Sequence, residues 1–286
     1  MKRMFVSERV RITGKFSPDF EVAKHVHSYT QDIKKKLDQV AGCSGVDLEA
    51  RFSRVRTTET NLGNMLADLI RTQLNTDIGL TNGGGLRANQ VIPAGPVQYR
   101  LLNQILPQTD RVVKLKVRGD LLKRVLENSV SAYPKMDGRW PCTSGIKFQF
   151  DPERPPGDRI IPGSMLDGDG KPFDFARVYS VGITNYMGQG KDGFEAFLDP
   201  SVQRCNHGGD EELDIRELVN DFFRSFLRTE EEEAISPGPS RRVMSRRMRL
   251  FSASLDVRCP SSGAIVISPV VDGRVVNIRP PLEYAD

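Results

Sequence analysis

Apolar residues recur at helical spacing in four stretches of the chain, and alternate or cluster over strand-length runs in four others. Val22, Val26, Tyr29, Ile33, Leu37 and Val40 stand three or four apart and predict an amphipathic helix over about 18 to 41. Ser17 is its expected N-cap, with Pro18 in the first helical position. A second helix follows Thr58-Glu59-Thr60, with Leu62, Met65, Leu66, Leu69, Ile70 and Leu74 on one face. Asp120 is placed to cap a third that carries Leu121, Leu122, Val125, Leu126 and Val130. Ile215, Leu218, Val219, Phe222, Phe223 and Phe226 predict a fourth over about 211 to 228. Strands are expected over 77–81, 111–118, 145–150 and 177–184, and turns over 152–171, where proline, glycine and aspartate are dense. Strands and helices thus alternate irregularly, which predicts an α+β fold with a mixed sheet.

Beyond residue 229 the pattern fades. Glu230 to Glu233 is an acid run, 236–240 alternates serine with proline and glycine, and Arg241-Arg242-Val243-Met244-Ser245-Arg246-Arg247-Met248-Arg249 is basic. That composition predicts a flexible, charged tail over 229–286, with one short apolar stretch at 264–276. The basic run offers a contact surface for a partner; the default for such a run is solvation.

Composition narrows the function classes. With 41 basic against 37 acidic residues, the net charge of +4 is too balanced for a nucleic-acid binder, while a small anionic ligand remains open. The four cysteines, Cys43, Cys142, Cys205 and Cys259, are widely spaced and form neither a zinc pattern nor a disulfide framework. No window reaches the roughly 18 apolar residues of a membrane span, and the first ten residues lack the apolar core of a secretory signal. The expectation is an unexported chain; the compartment stays open, with a reducing, cytoplasmic one favoured.

Histidine limits the chemistry. A two-metal phosphatase site gathers several His, Asp and Asn ligands around ions about 3.5–4 Å apart, and this chain has three histidines. His25 and His27 are two apart on a helix, so they point about 200° apart and cannot share an ion. His207 falls in a loop-like Asn206-His207-Gly208-Gly209. No serine elbow, phosphate-binding P-loop or zinc-protease helix is present. No catalytic or metal-ligating residue is assigned.

What stands out instead is Asn82-Gly83-Gly84-Gly85-Leu86-Arg87 behind the 77–81 strand. It formally matches a dinucleotide fingerprint, but that fingerprint must open a helix, and Pro93, Gly95 and Pro96 follow too soon. A tight structural turn and a ligand-facing loop both remain open. Three glycines are entropically costly, and they are flanked by an amide and a fixed cation, which suits backbone approach to a polar ligand. A second glycine-rich loop, Gly188-Gln189-Gly190-Lys191-Asp192-Gly193-Phe194, follows Asn185-Tyr186 after another strand.

Taken in order, Arg56-Thr57-Thr58-Glu59-Thr60-Asn61-Leu62-Gly63-Asn64, the glycine loop, Leu106-Pro107, Gly138-Arg139-Trp140-Pro141 with Ser144-Gly145, and Asp192-Gly193-Phe194 resemble the C-terminal domain of the 5′-nucleotidase family. The resemblance covers about 50 to 200. It implies a nucleotide-binding domain over 51–228. Residues 1–50 would be the end of a preceding metallophosphoesterase domain plus an interdomain helix. In that family the N-terminal domain holds two divalent metal ions and a catalytic His-Asp pair.

Carried over, Arg56, Asn82 with Gly84, and Arg87 would contact ribose or phosphate, Asp192 would bind the ribose hydroxyls, and Tyr186 would stack on the base of a nucleoside monophosphate or related phosphoester. Gln108 stands where a second aromatic is usual, which puts purine preference in doubt. Lys191 replaces a usual glycine and adds a cation for a further phosphate or a different polar substrate. With no cofactor in this chain and its metals expected elsewhere, the chain by itself is expected to bind without hydrolysing. The competing expectation is a non-catalytic nucleotide-binding or interaction module.

Overall fold

The computed structural model describes residues 7–205, 213–224 and 266–279. They fall into two units, Met1–Gln39 and Val40–Asp286. The first carries helix α1 (Phe20–Leu37). Its N-cap is Asp19, whose side chain accepts from Val22 N at 3.0 Å, two residues beyond the expected Ser17. The helix stops short of 41 because Val40–Ser44 is extended and paired as strand β1. Val22, Val26, Tyr29 and Ile33 form the stripe that the periodicity predicts, and all four are exposed.

In the second unit β1 is followed by β2 (Leu48–Glu49), α2 (Phe52–Val55), α3 (Asn61–Gln73), β3 (Ile78–Asn82), β4 (Val91–Ile92), β5 (Gly95–Gln98) and α4 (Tyr99–Ile105). Next come β6 (Val112–Arg118), α5 (Gly119–Val130), β7 (Pro141–Ser144), β8 (Ile146–Phe150), β9 (Leu166–Asp167) and β10 (Val178–Thr184). The remaining elements are α6 (Asn185–Gly188), β11 (Gln203–Cys205), α7 (Ile215–Arg224), β12 (Val266–Ile267) and β13 (Val275–Asn277). The α+β fold with mixed sheets is as the sequence predicts.

The central sheet has the order β11-β6-β10-β3-β7. Only β3 and β10 run parallel; β6, β7 and β11 are antiparallel to their neighbours. Side chains alternate across a strand, so Ile78, Leu80, Val181 and Ile183 enter one core with Leu122, Val125 and Leu126 of α5. On the opposite face Gly79 and Gly182 are register partners. A methyl group on Gly79 would lie 2.2 Å from the Ala67 carbonyl oxygen, and one on Gly182 would lie 2.9 Å from Ile70. This glycine floor lets α3 settle directly on the sheet. Its Leu62, Met65, Leu66 and Leu69 then join the second core with Leu218, Val219 and Phe223 of α7.

Two further local expectations are corrected. Arg118, not Asp120, occupies the cap position of α5 in an extended conformation. Asp120 lies in the first turn, where it pairs with Arg118. The turn-rich 152–171 includes the short strand β9, which pairs with β8.

The predicted tail also needs revision over 266–279. There β12 lies parallel to β1 and β13 parallel to β8, so this stretch belongs to the domain's sheets. Likewise β1, β2 and residues 40–50 belong to the second unit and not to a preceding domain. His207, Phe226 and the basic run 241–249, with the partner contact expected of it, lie outside the described residues. Among the described residues no helix is long and apolar enough to cross a membrane.

Candidate functional site

The parallel pairing of β3 and β10 sends the segments after Asn82 and Thr184 out of the same sheet end. The antiparallel neighbours begin there: Pro141 is opposite Asn82, and Val112 is opposite Thr184. Four segments, 82–87, 108–111, 137–140 and 185–192, therefore converge beyond the carboxyl ends of β3 and β10, the usual ligand crevice of such sheets. A cleft of about 550 Å³ opens between them.

The glycine segment forms a short 3₁₀ turn over Gly83–Gly85 and then extends toward β4, with no helix behind it. Gly84 N and Asn82 Nδ2 both donate to the Gly138 carbonyl, at 2.8 and 2.9 Å. A methyl group on Gly84 would lie 2.8 Å from Gly138 Cα, so the two loops touch backbone to backbone. Gly83 packs as tightly against the end of α2, where a methyl would sit 1.9 Å from the Val55 carbonyl oxygen. That contact seats Arg56, the next residue, beside the turn. Arg56 lies over the Phe52 ring at 4.3 Å and donates from Nη1 to Met136 O at 3.2 Å, while its buried Nε has no hydrogen-bond partner among the described residues. Burial lowers the pKa of this guanidinium, nearby Arg87 lowers it further, and Asp137 and Asp192 partly offset both.

Across the cleft, Tyr186 donates its hydroxyl to Asp192 Oδ1 at 2.9 Å. Burial and then this carboxylate raise the tyrosine pKa. The Tyr186 N–H points to Asp110, 3.2 Å from Oδ1. Burial raises the Asp110 pKa, and the N–H of Tyr186 only partly counters it. Asp192 itself holds a left-handed backbone (φ 54°) between two positive-φ glycines, Gly190 and Gly193.

Of the residues singled out from sequence, Arg56, Asn82, Gly84, Arg87, Gln108, Tyr186 and Asp192 all line this cleft. Lys191 does not; its side chain is exposed and outside the lining. The structure adds Asp110, Asp137, Gly138, Thr184, Asn185 and Gln189. Asp110, Thr184, Asn185 and Gln189 flank strands legible in the sequence, whereas Asp137 and Gly138 precede β7, which is not among the expected strands; the strand order brings these loops to one end. Among the described residues no group of three or more His, Cys, Asp or Glu side chains is arranged to hold a metal ion.

Residues 39–199 match the family profile described as the 5′-nucleotidase C-terminal domain. Human 5′-nucleotidase is 28% identical over 211 residues, which cover 66% of this chain and 36% of the human protein. The trifunctional nucleotide phosphoesterase YfkN of Bacillus subtilis is 27% identical over 196 residues, covering 66% of this chain and 13% of that protein. The crystal structure of a 5′-nucleotidase precursor from Thermus thermophilus superposes with a TM-score of 0.69 at 24% identity, over 92% of this chain and 44% of that one. This chain spans less than half the length of each. The family profile covers more than half of the chain, over the span that contains the motifs of the sequence resemblance, and the chain belongs to the 5′-nucleotidase C-terminal domain family.

Proposed function

We propose that this domain binds the nucleotide substrate of a metal-dependent 5′-nucleotidase-type phosphoester hydrolase, the metal ions being held by a different domain. The observation that carries the reading is the pairing of two guanidinium groups, Arg56 and Arg87, with a carboxylate–phenol pair, Asp192–Tyr186, around one cleft. Guanidinium groups match phosphate oxygens. A carboxylate accepts from two vicinal hydroxyls, and an exposed aromatic face stacks on a base. Asn82 and the Gly84 backbone hold the floor between them. Gln108 offers a further polar contact in the same cleft, and Lys191 is left for a substrate that extends past the cleft.

In this reading the domain's own share of the reaction is binding and orientation. A second reading is a nucleotide-binding module without turnover. Calorimetry with adenosine and uridine 5′-monophosphates tests the first step, with phosphate release measured in parallel. Micromolar-class binding that Arg87→Ala weakens by about 1–3 kcal/mol is expected. No binding by either nucleotide would sink both readings, and metal-dependent phosphate release from the pure chain would sink the second and, in the first, the placing of the metals in a different domain.

A further inference from the structure

The positive-φ backbone of Asp192 is held by a side chain outside the cleft. Asn128, on α5, donates from Nδ2 to the Asp192 carbonyl at 3.0 Å. Its Oδ1 accepts from Arg139 Nη1 at 3.2 Å. These two bonds fix which way the amide faces. Gly193 completes the seat, because a methyl there would come 2.8 Å from Asn128 Oδ1.

Arg139 is held in turn by Asp137 and Ser131. Its Nε donates to Asp137 Oδ1 at 2.9 Å, its backbone N–H donates to the same oxygen at 3.0 Å, and its Nη1 donates to Ser131 Oγ at 3.2 Å. Asp137 and Gly138 both line the cleft. A methyl on Gly138 would lie 3.3 Å from Gly84 Cα and 3.4 Å from Asp192 Oδ2, so this loop sits between the glycine turn and the carboxylate.

We propose that Asn128, itself held by Arg139, is a positioning residue that through the Asp192 backbone sets the Asp192 carboxylate for a vicinal diol, and so gives the cleft its preference for ribonucleotides over deoxynucleotides. The inference rests on the proposed nucleotide reading. The cost of the geometry is visible: a non-glycine residue at positive φ is disfavoured unless its surroundings over-determine it. Here the Asn128 amide supplies a hydrogen bond to the Asp192 carbonyl in this backbone orientation. Asp192 is thereby held at two points, its backbone carbonyl by Asn128 and its carboxylate Oδ1 by Tyr186.

Asn128→Asp keeps the shape and the contact to Arg139, but it replaces the donor facing the Asp192 carbonyl with an oxygen. Arg139→Gln is the second variant; it removes the guanidinium from the far side of the same relay and leaves Asn128 in place.

The experiment is calorimetry of adenosine and uridine 5′-monophosphates against their 2′,3′-dideoxy counterparts, on wild type and both variants, with thermal melts to establish folding. Wild type is expected to prefer the ribonucleotide. Asn128→Asp is expected to reduce that preference by about fivefold to tenfold, the size of a neutral hydrogen bond, mostly through weaker ribonucleotide binding. Arg139→Gln should reduce it in the same direction. A folded variant of either kind that keeps the full ratio, or loses affinity equally for both ligand types, overturns the positioning role alone. A wild type that binds both ligand types equally overturns the Asp192 assignment beneath it as well.

Discussion

The Arg274 guanidinium closes a two-pronged ion pair on the Asp68 carboxylate, with Nη1 to Oδ1 at 2.7 Å and Nη2 to Oδ2 at 2.9 Å. Asp68 belongs to α3 and Arg274 immediately precedes β13, more than 200 residues later in the chain. Both side chains are about nine-tenths buried. Ser144 Oγ also donates to Asp68 at 2.5 Å, Arg274 Nη1 donates to the Thr143 carbonyl, and Glu59 accepts from the backbone N–H groups of Asp272 and Arg274. The segment 266–279 is thus clamped to the helix that carries the domain's second core.

Removing one partner of such a pair leaves an uncompensated buried charge. Arg274→Ala is therefore expected to lower stability by about 3–5 kcal/mol in denaturant unfolding. An apolar double replacement, Asp68→Leu with Arg274→Met, should recover a large part of that loss. A single substitution costing under about 1 kcal/mol, the scale of surface pairs, would mean that the clamp is solvent-screened.

The Tyr186–Asp192 hydrogen bond separates two roles of the tyrosine. Tyr186→Phe keeps the ring face and loses only the donor to Asp192, so nucleotide affinity should fall by about 0.5–1.5 kcal/mol. Tyr186→Ala removes the face as well and should cost about 1–3 kcal/mol. Equal losses in the two variants, read by calorimetry, would show that the ring does not stack on the base.

Asp110 and Asp137 line one cleft and should respond to acid in opposite directions. Burial raises the Asp110 pKa above the unfolded value, so its protonated form favours the fold. That contribution is complete below the unfolded pKa and is lost as pH rises through the folded one. Asp110→Asn should therefore melt at a higher temperature than wild type at neutral pH, with the gap closing in acid. At Asp137 burial also pulls upward, but the hydrogen bonds from Arg139 and the charges of Arg139 and Arg56 outweigh it, and the net shift is downward. Its stabilisation is present above the unfolded pKa and lost as pH falls through the depressed one. Asp137→Asn should melt lower at neutral pH and converge with wild type in acid. Parallel pH profiles for the two variants would contradict this account.

Much of this architecture was legible because the relevant signals are local. The 3.6-residue spacing of Leu62, Met65, Leu66, Leu69 and Ile70 and the Thr60 cap locate α3. Asn82, Arg87 and Asp192 announced themselves by sitting in glycine-rich loops after strands. What stayed hidden depends on strand order or on distant partners. Asp110 and Asp137 precede antiparallel strands, and nothing local says that those strands flank β3 and β10. The segment 266–279 reads as a tail because its pairing partners, β1 and β8, lie more than a hundred residues away in sequence. Gly79 and Gly182 look like weak points in two strands until their register makes them the seat of α3. Lys191 shows the reverse error, since adjacency to Asp192 in sequence does not put its side chain in the cleft.

The three glycines of the turn are not equivalent, which gives the sharpest test of why the motif is there. Gly83 meets the Val55 carbonyl and Gly84 meets the Gly138 backbone, both rigid, whereas nothing lies within 4 Å of a methyl on Gly85. Gly85→Ala adds a side chain into open space at a backbone conformation alanine tolerates. It should leave the packing of the turn unchanged and raise stability by up to about 1 kcal/mol through a less flexible unfolded chain. Gly83→Ala must push α2 and the adjoining Arg56 outward, at about 1–3 kcal/mol for an overpacked contact. Gly84→Ala must separate the turn from Gly138, and with it from the Asp192 side of the cleft. Both should lose nucleotide affinity along with stability, as read by calorimetry and denaturant unfolding. If the glycines served only chain flexibility, all three substitutions would behave like Gly85→Ala. A graded result, with positions 83 and 84 costly and 85 free, is expected only where the turn serves as a packed wall of the binding cleft.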